Sequence, residues 1–416
     1  MASFSNAKDF IACPDTSCDL VIQSKEIFKC LATDSLLANL INDQKTKNIL
    51  RIVTDGNGQP GTSIRIRRQG QLIGPGVTNC ETLEGKEVCP DDDFENVELG
   101  LVRQALCMNV CGYWGLQERG FLRTRNETVD SLKDWLLSLF LKSFFNQLGS
   151  YTAAETVYNG KKVEIVKQYR GFNKVTPSSA HYRVVTTEAT GTKPATSELV
   201  NITGNLSGEN AIADKDKFTV SALRQLIAVK TSDTNVCGGK PLDPNGYKYI
   251  LFLHPSQVAD LKADPEWQKW VCCADDKGDK NRLTTGALGV MDGIILKSSD
   301  LVPPGVYADG TPNLTVRRAI LAGADAAVLA IGGYKMGSDG RLVQVPFKLD
   351  YETRDYNAYT ALGISTVFGL KKTTFNGKDS SVMLISSRVS HPATITEADT
   401  NADADANAKK KGCNNG

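Results

Sequence analysis

The clearest pattern along the chain is a stripe of large apolar residues at helical spacing between residues 126 and 148. Val129, Leu132, Leu136, Phe140, Phe144 and Leu148 recur every three or four positions, which puts them on one face of an α-helix. Trp135, Leu137, Leu141 and Phe145 widen that face well beyond a single stripe. Lys133, Asp134, Lys142, Asn146 and Gln147 interrupt it too often for a membrane span. Asn126 or Thr128 can cap its start, and Gly149 ends it at the position where a left-handed residue is favoured. Such a helix is roughly 33 Å long and is expected to be buried on more than one side. Its expected core residues are Leu132, Trp135, Leu136, Phe140 and Phe144.

Period-two patterns flank it. Ile49 to Thr54 reads as a strand, Asp55-Gly56-Asn57-Gly58 as a tight turn, and Ser63 to Arg68 as a second strand with Ile64 and Ile66 opposite Arg65 and Arg67. The expectation is a hairpin over 49–77, closed by Gly74-Pro75-Gly76. An acidic run, Asp91, Asp92 and Asp93, follows, and then a strand candidate from Asn96 to Cys111. Residues 151–214 are rich in Thr, Gly and Lys, with strands near Lys162–Val166 and Tyr182–Thr187, and read as a strand-rich insertion. Thr219 to Thr231 predicts a helix with Leu223, Leu226 and Ile227 inward. Tyr247 to Leu253 is almost uninterruptedly apolar and predicts a central strand. Pro255 then opens a helix, and Asp264 can cap another that places Trp267 and Trp270 on one face. Residues 1–48 contain one amphipathic stretch, Cys30 to Ile41, and read as an arm. The polar, low-complexity end from Thr394 to Gly416 is expected to be disordered.

Composition narrows the function classes. At 416 residues the chain has room for two or three lobes, and 41% hydrophobic with 7% aromatic content suits a globular protein. No apolar run reaches the length of a membrane span, and the N-terminal segment lacks the pattern of a signal peptide, so a cytosolic site of synthesis is expected. With 48 basic and 47 acidic residues there is no excess charge for a dedicated nucleic-acid binder. A near-neutral wall does suit a container for DNA, because a cationic one would hold the polymer through released counterions. The 11 cysteines form no C-x-x-C pair, and His181, His254 and His391 do not stand at zinc spacing, so free thiols and no metal are expected. Cys80 and Cys89 flank a loop they could close after cell lysis.

No catalytic motif survives inspection. Gly56-x-Gly58-x-x-Gly61 matches the dinucleotide fingerprint in letters, but an alternating strand follows where a helix N-terminus must hold the pyrophosphate. Gly286-x-x-Gly289-x-x-x-Gly293 lacks the Lys-Ser/Thr of a phosphate loop. His254, ahead of Pro255, reads as a corner or capping histidine; a hydrolase built around it would need an acid and a nucleophile supplied by the fold. Three adjacent acids at 91–93 do not make a cation cage. The expectation is a non-enzyme without cofactor.

Four phrases carry a resemblance. They are YKYILFLHPSQVADLKADPEWQKW, TGALGVMDGIILKSSDLVP, VRRAILAGADAAVLAIGG and GLKKTTFNGKDSSVMLI, in that order between Tyr247 and Ile385. Together they resemble the major capsid proteins of N4-like tailed phages. The resemblance implies an α+β chain with the tailed-phage and herpesvirus-type (Hong Kong phage-type) capsid fold. It implies an N-terminal arm at 1–48, an extended β-hairpin loop at 49–112 and a peripheral domain with a long spine helix at 113–149. An axial domain at 150–346, return strands at 347–388 and a tail at 389–416 complete the layout. The implied function is self-assembly into pentamers and hexamers of an icosahedral head enclosing double-stranded DNA, in the virion after assembly in the host cytoplasm. Implied partners are further copies of the chain, portal, scaffold or decoration proteins, and packaged DNA bound without sequence preference. A bacterial nanocompartment shell of the same fold is the alternative. In either shell, Arg65, Arg67 and Arg68 are candidates to meet Asp91, Asp92 and Asp93 of a neighbouring subunit.

Overall fold

The structure, a computed structural model, describes residues 49–53, 62–69, 92–109, 118–158, 161–187, 196–204, 207–232, 249–274, 290–291, 294–332, 334–338, 341–345, 347–354 and 359–392, with a few single residues in 77–87 and at 288. The arm at 1–48, the turn at 55–58, Asp91, Cys80 with Cys89, and the tail beyond 392 lie outside the described residues.

The described elements begin with β1 (Leu50–Val53), β2 (Ser63–Gln69), β3 (Asp92–Glu98) and β4 (Gly100–Asn109). The long helix α1 (Glu118–Leu148) follows; it starts before Asn126, and its 31 residues span roughly 46 Å. Then come β5 (Glu155–Tyr158), β6 (Lys161–Glu164), β7 (His181–Thr187) and β8 (Thr196–Asn201). Helices α2 (Ser207–Asn210) and α3 (Val220–Ser232) lead to β9 (Tyr249–Leu253), α4 (Pro255–Ala263) and α5 (Pro265–Ala274). Next are β10 (Val290–Met291), β11 (Ile294–Ser298), β12 (Pro304–Val306), β13 (Pro312–Ala322) and β14 (Ala327–Gly332). The described elements end with β15 (Tyr334–Ser338), β16 (Arg341–Val345), β17 (Phe347–Arg354), β18 (Tyr359–Lys372), β19 (Thr374–Phe375), β20 (Lys378–Asp379) and β21 (Val382–Arg388).

Two sheets organise these elements. The eight-stranded sheet runs β10-β11-β9-β13-β21-β7-β8, with β12 added on β13. The apolar strand β9 is central, parallel to β11 and antiparallel to β13. Its alternate residues are buried on both faces: Leu251 and Leu253 against Leu223 and Leu226 of α3 and Leu261 of α4, Ile250 and Phe252 against α1. The five-stranded sheet runs β1-β14-β18-β17, with β4 on the other side of β18.

Helix α1 lies between the two sheets. Phe140 meets Phe368 of β18 edge-to-face at 4.9 Å, and Phe145 meets Phe252 of β9 edge-to-face at 5.4 Å. Two apolar partners on different sides explain why its hydrophobic pattern is too wide for one face. Leu132, Leu136, Phe140 and Phe144 are buried, and Trp135 is half-buried against the same core. The helix ends differently from the expectation. Gly149 is needed for close approach, since a Cβ there would come within 2.3 Å of the Pro303 ring. Ser150, at φ 48, takes the left-handed turn.

The hairpin expected over 49–77 does not form. β1 pairs in parallel with β14 and completes the five-stranded sheet over the α1 core, with Leu50 buried. β2 pairs instead with β3, so the acidic run enters a strand rather than a loop. The apolar pattern explains the exchange: Ile66 and Val97, one from each strand, bury together on Val328 and Ala330, on the face of β14 turned away from α1. Sheet membership also cuts across the boundary expected at 346. β14, before it, belongs with β17 and β18, whereas β21, among the expected return strands, lies between β13 and β7. Among the described residues no helix is long and apolar enough to cross a membrane.

Candidate assembly surface

The β2–β3 ladder has two chemically different faces. Ile64, Ile66 and Arg68 turn toward the sheet, and Arg65 and Arg67 turn outward, as strand alternation requires. On the outward face the Arg65 guanidinium lies 4.2 Å above the Phe94 ring, itself about half exposed. Arg67 donates to Asp92 of the same chain at 2.5 Å, and this bond raises its pKa. Asp93 accepts from its neighbour's amide, Phe94 N, and from Asn376 N, both at 2.8 Å.

Thus the arginines and acids do not stand as separate patches, each waiting for another subunit. Register places the two sets on one ladder, with Gln69 opposite Asp92 and Arg68 opposite Asp93, so Arg67 finds its carboxylate at home. Arg68 is turned inward. It donates to Thr373 Oγ1 at 2.9 Å and lies 3.4 Å from Glu95. Burial lowers its pKa while Glu95 opposes, and burial raises Glu95 against the pull of Lys371 and Arg68.

Asn173 anchors the ladder's base and has no signal in the hydrophobic pattern. Its side chain accepts from Glu98 N at 2.9 Å and donates to Glu98 O at 3.0 Å, which is how a neighbouring strand would pair. The same amide reaches Leu370 O of β18 at 3.2 Å. Gly369 permits the approach, because a Cβ there would sit 2.0 Å from Glu98 O.

A second constellation missed by sequence reasoning is the buried charge network around Arg318. Its guanidinium donates to both Glu209 oxygens, Nε at 2.8 Å and Nη2 at 2.7 Å. Its Nη1 donates to the carbonyls of Gly149 and Ser150, just past the end of α1. Glu209 also accepts from Val306 N and Ser386 Oγ, and His181 Nε2 lies 3.3 Å away. Burial opposes ionisation of Glu209, but Arg318 overrides it and holds the carboxyl well below its usual range. Burial keeps His181 below its ordinary value despite that carboxylate. Lys372 and Asp379 form a second buried pair at 2.8 Å, with Ser150 Oγ accepting from the lysine. The available sequence signal was the Arg317-Arg318 pair inside an otherwise apolar strand, since a charge buried there demands a partner. These bonds stitch the end of α1 to α2, β7, β13, β18 and β21.

His254 caps α4. Its Nδ1 accepts from Ser256 N, and Gln257 closes the capping box by accepting from His254 N at 3.0 Å. Burial, with Arg317 nearby, holds the imidazole down to about 3. Asp264 serves two helices, accepting from Glu266 N of α5 and Val220 N of α3, both at 2.9 Å. Among the described residues no group of three metal-binding side chains converges.

A family model described as "Phage capsid protein" matches residues 15–391. The chain belongs to the phage capsid protein family. No curated protein sequence matches it. Among solved structures it is similar to the capsid of Ralstonia phage GP4, with a TM-score of 0.60 and 19% identity over 85% of this chain and 91% of that one. It is also similar to the cyanophage Pam1 capsid, with a TM-score of 0.58 and 16% identity over 83% and 90%. At these identities the likeness is one of fold, and the fold is that of Hong Kong phage-type capsid subunits. As a phage capsid protein the chain is a major subunit of an icosahedral head, and its place is the virion.

Proposed function

We propose that this subunit associates with its own copies in pentamers and hexamers around double-stranded DNA, and that it does so without catalysis. The observation that carries the contact chemistry is the outward face of the β2–β3 ladder. Arg65 on the Phe94 ring and the Arg67–Asp92 pair stand in solvent on a ladder whose inner face and base are fixed. Arginine and aromatic residues are the types enriched where protein surfaces meet. Arg65, Arg67, Phe94 and Asp92 are the contact residues of this reading; Arg68 and Asp93, engaged within the subunit, support them. A closed shell needs several such contacts per subunit, each weak enough to correct during assembly. The near balance of basic and acidic residues suits a wall that lets DNA pass. Portal, scaffold and decoration proteins are further partners, and assembly takes place in the host cytoplasm before the head matures into the virion. His254 is a helix cap in this reading, not a base.

Negative-stain microscopy and light scattering of the purified chain test the proposal, with rings or shells expected. A chain that stays monomeric at high concentration, across salt conditions and with scaffold or portal added, would overturn it.

A further inference from the structure

Adjacent arginines of β13 have opposite fates. Arg318 meets Glu209 on one face of the strand. Arg317, on the other, is 4% exposed, and among the described residues no carboxylate lies within 4.0 Å of it. Its Nη1 donates to Val302 O at 3.3 Å, and its Nε has no acceptor. A buried guanidinium left this way is costly unless something negative shares the site.

Arg317 lines a cavity of about 470 Å³ between α1, the β5 strand and the β9–α4 corner. Lys142 of α1 lines it too, with Nζ over the rings of Tyr158 and Tyr169 at 4.8 and 5.2 Å and no acid partner among the described residues. The other polar groups on its wall include donors. His254 accepts at Nδ1 from Ser256 N, so its neutral ring carries the proton on Nε2. The Tyr158 hydroxyl accepts from Asn146 Nδ2 at 3.4 Å, which leaves its own proton to give. Burial brings Arg317 down to about 10, still cationic at neutral pH. The acids that line the cavity, Asp134 and Asp300, are exposed, and neither forms an ion pair with the two cations.

We propose that this cavity binds a small oxyanion, a phosphate or carboxylate group, between Arg317 and Lys142. The guanidinium offers a planar donor fork and the ammonium a point charge, a pairing that suits either anion. Leu137 and Leu141 of α1 and Leu301 give the same wall an apolar part, beside which a charge-assisted contact is stronger than in open water.

The test is thermal unfolding and titration calorimetry of the full chain with inorganic phosphate, and separately with acetate, at constant ionic strength against chloride. A saturable rise in melting temperature is expected. A response to phosphate alone assigns a phosphate site, and an equal response to acetate assigns a general oxyanion site. Lys142→Met and Arg317→Gln should each weaken binding about tenfold or more, as loss of a charge-assisted bond does. Asp300→Asn should tighten it by removing a like charge. If Arg317→Gln does not fold, Lys142→Met decides, because the ammonium lies over two ring faces and forms no ion pair among the described residues. No effect of either anion beyond chloride, or an effect that Lys142→Met leaves unchanged, overturns the proposal.

Discussion

Helix α1 meets the body of the protein through rings and methyl groups on two sides, and its far end is closed by the Arg318 guanidinium. The β2–β3 ladder meets the same body on one face only, through Ile66 and Val97, with polar bonds at its base. The difference separates two jobs. Burial on two sides makes the helix the element whose loss is not survived. Burial on one side leaves the ladder a second face outside the core, on which contacts can be placed.

Mutations sharpen that contrast, beginning where the effect is largest. Leu136→Asp buries an unpaired charge between the sheets and should prevent soluble folding; recovery of folded subunits would break the comparison at once. Phe144→Ala, at a fully buried position, should cost about 3–5 kcal/mol in chemical denaturation. Arg318→Met leaves Glu209 buried and unpaired and should cost about 3–5 kcal/mol, whereas Arg318→Met with Glu209→Gln should recover part of it. The carboxyl of Glu209 is depressed in the folded state, so its contribution is complete above about pH 4.5 and is lost as pH falls below that. The double variant should therefore show a shallower loss of stability in acid.

A gentler effect comes from the α4 cap. The folded His254 pKa of about 3 lies below the ordinary 6.5, so the unfolded chain binds the extra proton between those values. Stability should fall as pH drops from 6.5 toward 3. His254→Asn replaces the Nδ1 acceptor with an amide oxygen that does not titrate, and should flatten that part of the profile. At the small end, Arg65→Glu with Arg67→Glu should leave the circular dichroism of the subunit unchanged and lower its melting temperature only slightly, since the Arg67–Asp92 and Arg65–Phe94 contacts it removes are exposed. Sedimentation should nevertheless show poor assembly, and high salt should weaken assembly of the unmodified chain. Normal shells from the double variant would show that the outward face only solvates the loop.

What could be read beforehand follows the same division. The α1 stripe, β9 and the α3 helix were legible because each buries apolar residues at a fixed period, and the period survives in the sequence. Pairing was not legible. Ile49 to Thr54 and Ser63 to Arg68 both read as strands, but nothing local says that the first joins β14 and the second joins β3. A glycine-rich turn between two strands suggests a hairpin, and tertiary burial outweighed it. The acidic run reads locally as a solvated loop or a patch for a neighbouring subunit, because the partner of Asp92, Arg67, stands 25 residues earlier in the same chain. Asn173 and Glu209 carry no periodic signal, since each acts as a single polar group against backbone or guanidinium.

The position of β21 has a consequence for synthesis. It enters between β13 and β7, and its Ser386 touches His181, 205 residues upstream. At about 5–20 residues per second the ribosome needs roughly 10–40 s to supply that last strand after β7 has emerged. Until then β7 and β8 have no neighbour on the β21 side, and the middle of the eight-stranded sheet stands open. The order of strands therefore leaves this sheet unfinished until the β21 segment has been made.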